Sequence, residues 1–493
     1  MKPRDAKKTY CNPLSIPSIP QGKDGWYPYY DGMFSDETKP AAVTGPDYRS
    51  ISDPTVFYYD NKWYLYPSYG MAWVTEDFEH WKHVRTEPYC PKYSPAIIPW
   101  KGRFLMVSWN NPLYVADDPL GPFELMGEFI GVDGKEFRPC DPCIFADDDG
   151  RIYIYAFLAE KVPGKSYFRS TIVGYELDQD NPCQVVRGPV EIMAMNPKEN
   201  WWDRYGFYGE DDTFCWVEGP HLLKYRGRYY MIYAAPDTCN AGYTQAVYYS
   251  DEGPMDGFVQ QKKNPLTFHR EGIVGGAGHG CVVEGPKDTL WAFYTIATPY
   301  YHSCERRIGM DLVAVDENGE LYCPYGVTDT PQYIPGLIDD PVANGNSPGH
   351  LPIAKRWMPT ATSALPGRDA LYATDESSIT WWESALDDPA PAVTNDLKSK
   401  FTISSSRVFW RESGLDYQNG VVPGPIKYII EGCLDGEWFM LLDRSQSEDE
   451  LNIDYRYFEP KLCDKVRLTI VGAPAGVHPG VIDFTVFGVR EDI

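Results

Sequence analysis

Five times along the chain, a run of apolar and aromatic positions breaks at a short pair of turn residues and then resumes. Asp53-Pro54-Thr55-Val56-Phe57-Tyr58-Tyr59 turns at Asp60-Asn61 into Lys62-Trp63-Tyr64-Leu65-Tyr66. Ser94-Pro95-Ala96-Ile97-Ile98 turns at Lys101-Gly102, and Asp141-Pro142-Cys143-Ile144-Phe145 turns at Asp148-Asp149-Gly150. Glu218-Gly219-Pro220-His221-Leu222-Leu223 turns at Arg226-Gly227, and Gly278-His279-Gly280-Cys281-Val282-Val283 turns near Pro286-Lys287. Each copy predicts a β-hairpin, because β-branched and aromatic side chains suit a half-buried pleated strand and the turn pairs suit a tight reversal.

Two further strand-like runs follow each hairpin. Examples are Trp73-Val74-Thr75 with Trp81, Tyr114-Val115-Ala116 with Phe123, and Ala246-Val247-Tyr248-Tyr249 after the fourth copy. Four strands per unit, repeating every ~40–50 residues, predict the blades of a β-propeller, here with five blades. The longer gap holding residues 196–212 reads as a loop inserted at the rim.

Beyond the last blade, Pro, Gly and Asn accumulate around Thr330-Pro331 and Asn344-Gly345-Asn346. That composition marks a connection. The expected organisation is an all-β chain: a five-bladed β-propeller over residues 1–330 with an N-terminal strap at 1–50, a linker at 331–358, and a β-sandwich at 359–493. The sandwich rests on runs such as Ile426-Lys427-Tyr428-Ile429-Ile430 and Lys465-Val466-Arg467-Leu468-Thr469-Ile470, which show no helical period.

A hydrophobic content of 43% describes a globular chain, and the formal charge of −25 argues against nucleic acid or an anionic membrane as partner. No run approaches the ~18 apolar residues of a spanning helix, and no apolar stretch follows the charged amino terminus. The expected location is therefore cytoplasmic for the chain as given, or secreted if an export signal has been cut from it. Twelve cysteines over 493 residues lack the density of a disulfide scaffold. Cys140-Asp141-Pro142-Cys143 has the spacing of a redox or metal motif, but it opens a strand, so two buried thiols are expected.

In a propeller the innermost strands line the central axis, so the residues that open them converge on one end of the channel. Those residues are Asp53, Ser94, Asp141, Glu218 and the Gly278-His279-Gly280 turn. The chain also carries decoys. Glu284-Gly285-Pro286 repeats the Glu-Gly-Pro string near a hairpin turn, and Asp118-Pro119, Asp340-Pro341 and Asp388-Pro389 repeat Asp-Pro elsewhere. Carboxylates around a neutral pocket suit glycoside hydrolysis, in which a protonated acid serves the leaving oxygen and a second carboxylate activates water or attacks carbon. A third, close to the acid, would keep it protonated by repulsion. Taken singly, each Asp could instead form an Asx turn before its strand.

The combination of Ser52-Asp53-Pro54, Asp141-Pro142, Val217-Glu218-Gly219-Pro220 and Gly276-Ala277-Gly278-His279-Gly280, in this order and register, resembles glycoside hydrolase family 43 over residues 10–330. The resemblance implies Asp53 as general base, Glu218 as general acid and Asp141 as the residue that tunes the acid. It also implies a sugar-binding arginine at Arg306 or Arg307, and a hydrated calcium ion near His279, which could equally be a hydrogen-bonded core histidine. Trp73, Trp109 and Trp202 are candidates for the sugar's aromatic platform, with packing between blades as the alternative. The second unit resembles discoidin-like, galactose-binding-type sandwiches through Asp375, Thr380-Trp381-Trp382 and Ile482-Asp483-Phe484. The function expected is an exo-acting, inverting hydrolase of oligosaccharides that releases a terminal pentose, as an α-L-arabinofuranosidase or β-xylosidase does. A galactosidase of the same fold, a retaining sucrose-cleaving type and a noncatalytic carbohydrate-binding propeller are the alternatives.

Overall fold

The computed structural model describes residues 4–17, 50–68, 71–86, 93–164, 168–206, 208–298, 305–355, 357–416 and 419–491. Most of the expected strap, residues 18–49, lies outside them. Up to Tyr322, five antiparallel four-stranded sheets follow one another, each built from contiguous sequence. Blade 1 comprises Thr55–Tyr59, Lys62–Tyr66, Met71–Thr75 and Trp81–Arg85, and blade 2 comprises Ala96–Trp100, Arg103–Val107, Leu113–Ala116 and Glu124–Gly127. Blade 3 comprises Cys143–Ala146, Ile152–Lys161, Phe168–Leu177 and Val185–Ala194. Blade 4 is Glu218–Tyr225, Arg228–Ala235, Thr244–Ser250 and Val259–Gln260, and blade 5 is Gly278–Gly285, Thr289–Ala297, Arg306–Val315 and Leu321–Tyr322. The repeat thus folds as the five-bladed propeller it predicts.

The hairpins form because their turn residues accept a left-handed backbone. Asp60 and Asn61, Lys101 and Gly102, and Arg226 and Gly227 all have positive φ, the pairing whose twist matches that of the flanking strands. Around the axis, backbone amides of one blade reach thiols of the next: Val56 N donates to Cys281 Sγ at 3.2 Å and Leu222 N to Cys143 Sγ at 3.4 Å. Cys143 is thus a buried thiol between blades, and neither it nor Cys140 forms a disulfide. At the N-terminal side, Asn12 clips blade 5, with Nδ2 donating to Met310 O and Oδ1 accepting from Met310 N.

After the propeller, Gln332–Tyr333 pairs with Thr9–Tyr10, and Leu351–Ile353 pairs with His478–Arg490. The stretch expected as a linker is therefore stitched to both units, and the second sheet begins at Leu351. Pro352 is tolerated there because the strand lies at the edge of its array. Eight antiparallel strands form that array, dominated by Ala392–Ser413, Ile453–Gly472 and His478–Arg490. Hydrogen bonds join them into one continuous sheet with register shifts such as Asp396/Phe401 and Phe409/Trp410; bulges of this kind let long strands turn corners that a two-sheet sandwich makes with separate strands.

Over residues 403–410, 453–455 and 479–488 these long strands are buried on both faces. On one face Val408, Trp410, Val481 and Phe484 form the unit's own core. On the other, Phe409, Ile453 and Ile482 pack with Tyr294, Ile296 and Val327 of the propeller, as the two-residue period of a strand requires. Arg407 and Asp483, ion-paired at 3.0 Å and 0% and 1% exposed as side chains, lie in the seam, where Arg407 Nη1 also donates to Asn12 O at 2.7 Å. No helix among the described residues is long and apolar enough to cross a membrane.

Candidate active site

Three innermost strands open on the same local device. Asp53, Ser94 and Asp141 each precede a proline, and each takes a left-handed backbone, with φ of 52°, 46° and 44°. Such a conformation is costly for a non-glycine residue, is best tolerated by short polar ones, and concentrates at functional sites. Blade 4 repeats the device with an offset: the residue before its proline is Gly219, φ 53°, and the carboxylate stands one position earlier, on Glu218. Glycine is required there, because a Cβ on Gly219 would stand 2.4 Å from the His279 ring. A register shift between Glu218 and His221 accommodates the offset.

Together these residues enclose a cavity of about 190 Å³ at one end of the channel, with Asp53, Ser94, Asp141, Glu218 and His279 in its wall. Tyr93, Trp109 and Phe157 add ring surfaces, and Thr238 and Arg306 add polar groups. Asp53 is 4% exposed. Its Oδ2 accepts from Ser52 Oγ at 2.8 Å and Ser68 Oγ at 2.6 Å, and its Oδ1 faces Arg306 Nη1 at 3.4 Å and His279 Nδ1 at 3.3 Å. Ser94 Oγ donates to Asp141 Oδ1 at 2.7 Å, and Tyr243 OH donates to Glu218 Oε1 at 2.6 Å.

The environments drive the carboxyls apart. Burial alone would push Asp53 up, but the Arg306 and His279 charges and the Ser68 and Ser52 hydroxyls outweigh it and hold Asp53 below the ordinary carboxylate range. Burial also raises Asp141, against the opposing pull of His279, Ser94 and Arg306. Glu218 is pushed well above its ordinary range, first by burial and then by Asp141, with the Tyr243 hydroxyl pulling the other way. The surroundings thus favour the protonated form of Glu218 most strongly and the charged form of Asp53.

Some expected contacts lie elsewhere. Trp73 is a core residue, 0% exposed; its ring meets His83 edge-on at 5.0 Å and its Nε1 donates to Pro17 O. It sits on a strand whose neighbours bury it. Trp202 is drawn back onto blade 4, where its Nε1 donates to Tyr233 OH at 3.1 Å. The cause is Asp203, a buried anchor of the inserted loop bonded to Asn196 N, Asn200 Nδ2 and Tyr233 OH. Arg307 turns away from the cavity and donates to Asn452 Oδ1 of the second unit at 2.7 Å. Arg306 is the arginine that faces the carboxylates, and Trp109 lines the cavity. Glu284, the decoy, is exposed beside its hairpin turn, paired with Leu290.

Tyr243 escaped the sequence reading, although a signal existed. It immediately precedes Thr244–Ser250, the third strand of blade 4, as Arg306 opens the third strand of blade 5. Third strands run parallel to first strands in an up-and-down sheet, so their openings meet at the same mouth.

Several known proteins are similar to parts of this chain. A "Xylosidase/arabinosidase" from Butyrivibrio fibrisolvens is 30% identical over 152 residues, 30% of this chain and 26% of that protein. "Xylosidase/arabinosidase 43B" from Humicola insolens is 30% identical over 165 residues, 32% of this chain and 26% of that protein. The chain thus matches about a quarter of the length of these curated relatives. Among solved structures, a thermostable family-43 glycoside hydrolase is 22% identical, with a TM-score of 0.47, over 57% of this chain and 95% of that one. The model of the glycosyl hydrolases family 43 matches residues 45–321. That match takes in more than half of the chain, every blade and, among the residues that line the cavity, the three carboxylates Asp53, Asp141 and Glu218 together with His279. The chain belongs to glycosyl hydrolase family 43.

Proposed function

We propose that this protein is an exo-acting, inverting glycoside hydrolase that removes a terminal pentose from an oligosaccharide. The observation that carries the reading is the convergence of Asp53, Asp141 and Glu218 on one cavity, in surroundings that lower the carboxyl of Asp53 and raise that of Glu218. Pairs separated in this way mark acid and base roles. Asp53 takes a proton from water as the water attacks the anomeric carbon, and Glu218 gives its proton to the departing glycosidic oxygen. Asp141 keeps that proton on Glu218 by repulsion. Arg306 and Thr238 supply donors to sugar hydroxyls, and Trp109 supplies a ring face.

The cavity of about 190 Å³ is below the ~300–1,000 Å³ of sites for drug-sized ligands. It suits one sugar ring, which supports terminal release. The xylosidase/arabinosidase names of the two relatives support a pentose. A panel of nitrophenyl glycosides tests this: α-L-arabinofuranoside or β-D-xylopyranoside should turn over fastest. Faster turnover of a galactoside would move the substrate class, and binding without turnover would leave a carbohydrate-binding propeller.

For calcium the fit is poor. The ion prefers six to eight oxygen ligands, whereas His279 Nδ1 faces Asp53 and no three His, Cys, Asp or Glu side chains among the described residues group as a metal site.

Tyr243→Phe gives a further prediction. Because the phenol pulls the Glu218 carboxyl down, its removal raises that group further. The alkaline limb of the kcat/KM profile, where the acid loses its proton, should move to higher pH, with the acid limb unchanged.

A further inference from the structure

Arg306 and Arg307 are neighbours on one strand, so their side chains leave on opposite faces. Arg306 Nη1 reaches Asp53 Oδ1 at 3.4 Å. Arg307 spans the seam between the units: its Nη2 and Nε donate to Asn452 Oδ1 at 2.7 and 3.3 Å, and its Nη2 pairs with Glu305 Oε1 at 2.8 Å. Its Nη1 turns back and donates at 2.8 Å to the carbonyl of Arg306 itself. The same carbonyl accepts Ile51 N at 3.1 Å, two residues before Asp53. Asn452 is itself fastened to the second unit's core strand, with Nδ2 donating to Trp410 O and Trp410 N donating to Asn452 O, both at 2.9 Å. Glu305, Arg306, Arg307 and Asn452 are all at most 6% exposed.

We propose that the C-terminal unit is a working part of the active site: Asn452, acting through Arg307, is a positioning residue that holds Arg306 against Asp53. A guanidinium buried in the seam must keep its acceptors, since losing one leaves a charge without compensation. If Asn452 cannot accept, Arg307 has to turn, and the Arg306 carbonyl that it grips, with Ile51 attached, turns with it. The consequence reaches Asp53 because the groups around it are few and opposed. Arg306 and His279 come from blade 5 and the Ser52 and Ser68 hydroxyls from blade 1, while Asp141 comes from blade 3 and Glu218 and Tyr243 from blade 4. Arg306 is the cation among them tied to the second unit.

The inference rests on reading Asp53 as the base, so its test needs a readout besides turnover. The ionisation midpoint of Asp53 can be read by infrared difference, each protein against its own Asp53→Asn version, alongside the acid limb of kcat/KM. In Asn452→Leu the midpoint and the acid limb should both rise by about one pH unit, part of the one to three units that a cation at close range contributes. Asn452→Asp keeps an acceptor for Arg307 while giving up the donor to the Trp410 carbonyl, and should keep the wild-type midpoint. Should Asn452→Leu not fold, Asn452→Ser, too short to reach Arg307, carries the same expectation as the Leu variant. A folded Leu or Ser variant with an unmoved midpoint overturns the proposal. So does an Asp variant shifted as far as the Leu one, which would assign the effect to the Trp410 junction. If the wild-type protein hydrolysed no glycoside, the reading of Asp53 as base would fall, and the infrared midpoint would still decide whether Asn452 braces it.

Discussion

Glu218→Gln is expected to lower kcat on a natural oligosaccharide by on the order of 10²–10⁴-fold, the usual weight of a positioned proton donor, with little change in melting temperature. The amide keeps the size of the carboxyl and can still bond Tyr243, so packing is spared. With a nitrophenyl glycoside the loss should be smaller, because a nitrophenolate departs without a proton. Asp53→Asn should instead cost a similar factor on both substrates, since activation of water is needed whatever leaves. Glu284, which begins the same Glu-Gly-Pro string, is exposed beside a hairpin turn, and Glu284→Gln should change nothing. A loss at Glu284 as large as at Glu218 would show that the repeat register, and the site built on it, is wrong.

Arg306→Met should be the next most damaging change, lowering kcat/KM by on the order of 10²-fold or more, as the loss of one preorganised charge in a site does. The cause is its contact with the base. Arg306 heads the groups that offset the burial of Asp53; without it His279 and two hydroxyls remain, and the folded-state pKa of Asp53 rises. Because Asp53 works only when ionised, its acid limb must then move up in pH. The same sign holds for stability: a depressed carboxyl stabilises the fold above its unfolded pKa and loses that contribution as pH falls through its folded pKa, so the variant should lose its acid tolerance at a higher pH than the wild type. An unmoved acid limb would mean that Arg306 serves the sugar alone.

The blades were legible because each hairpin is written with residues that its turn geometry demands: Asp60-Asn61, Lys101-Gly102 and Arg226-Gly227 can all take positive φ. Asp53 and Asp141 were legible through the same repeat, as strand openings. The offset at Glu218 was not, since nothing in Glu-Gly-Pro says that glycine rather than the carboxylate occupies the left-handed position; the reason is His279, which is distant in sequence and fills the space where a Cβ would go. The choice between Arg306 and Arg307 was hidden for a related reason. Both faces of their strand are buried, one by the cavity and one by the second unit, so alternation alone could not say which face held the sugar. Trp73 misled because a tryptophan near the mouth and a tryptophan between strands look alike in a sequence, and Leu351–Ile353 was missed because so short a strand directly follows the Pro, Gly and Asn rich stretch that ends at Gly349.

The central claim is that Asp53 activates water across the cavity from Glu218, and the configuration of the first-formed sugar tests it most directly. Inversion requires room for a water molecule, with acid and base roughly 6.5–9.5 Å apart, whereas a nucleophile would stand about 5–5.5 Å from the acid. Asp53 opens blade 1 and Glu218 opens blade 4, which are not adjacent on the ring, while Asp141 comes from blade 3, next to the acid. Rapid proton NMR of the product before mutarotation should therefore show the anomer opposite to the substrate's. A product that retains the substrate's configuration, with a glycosyl ester trapped on Asp53, would contradict the account and make Asp53 a nucleophile.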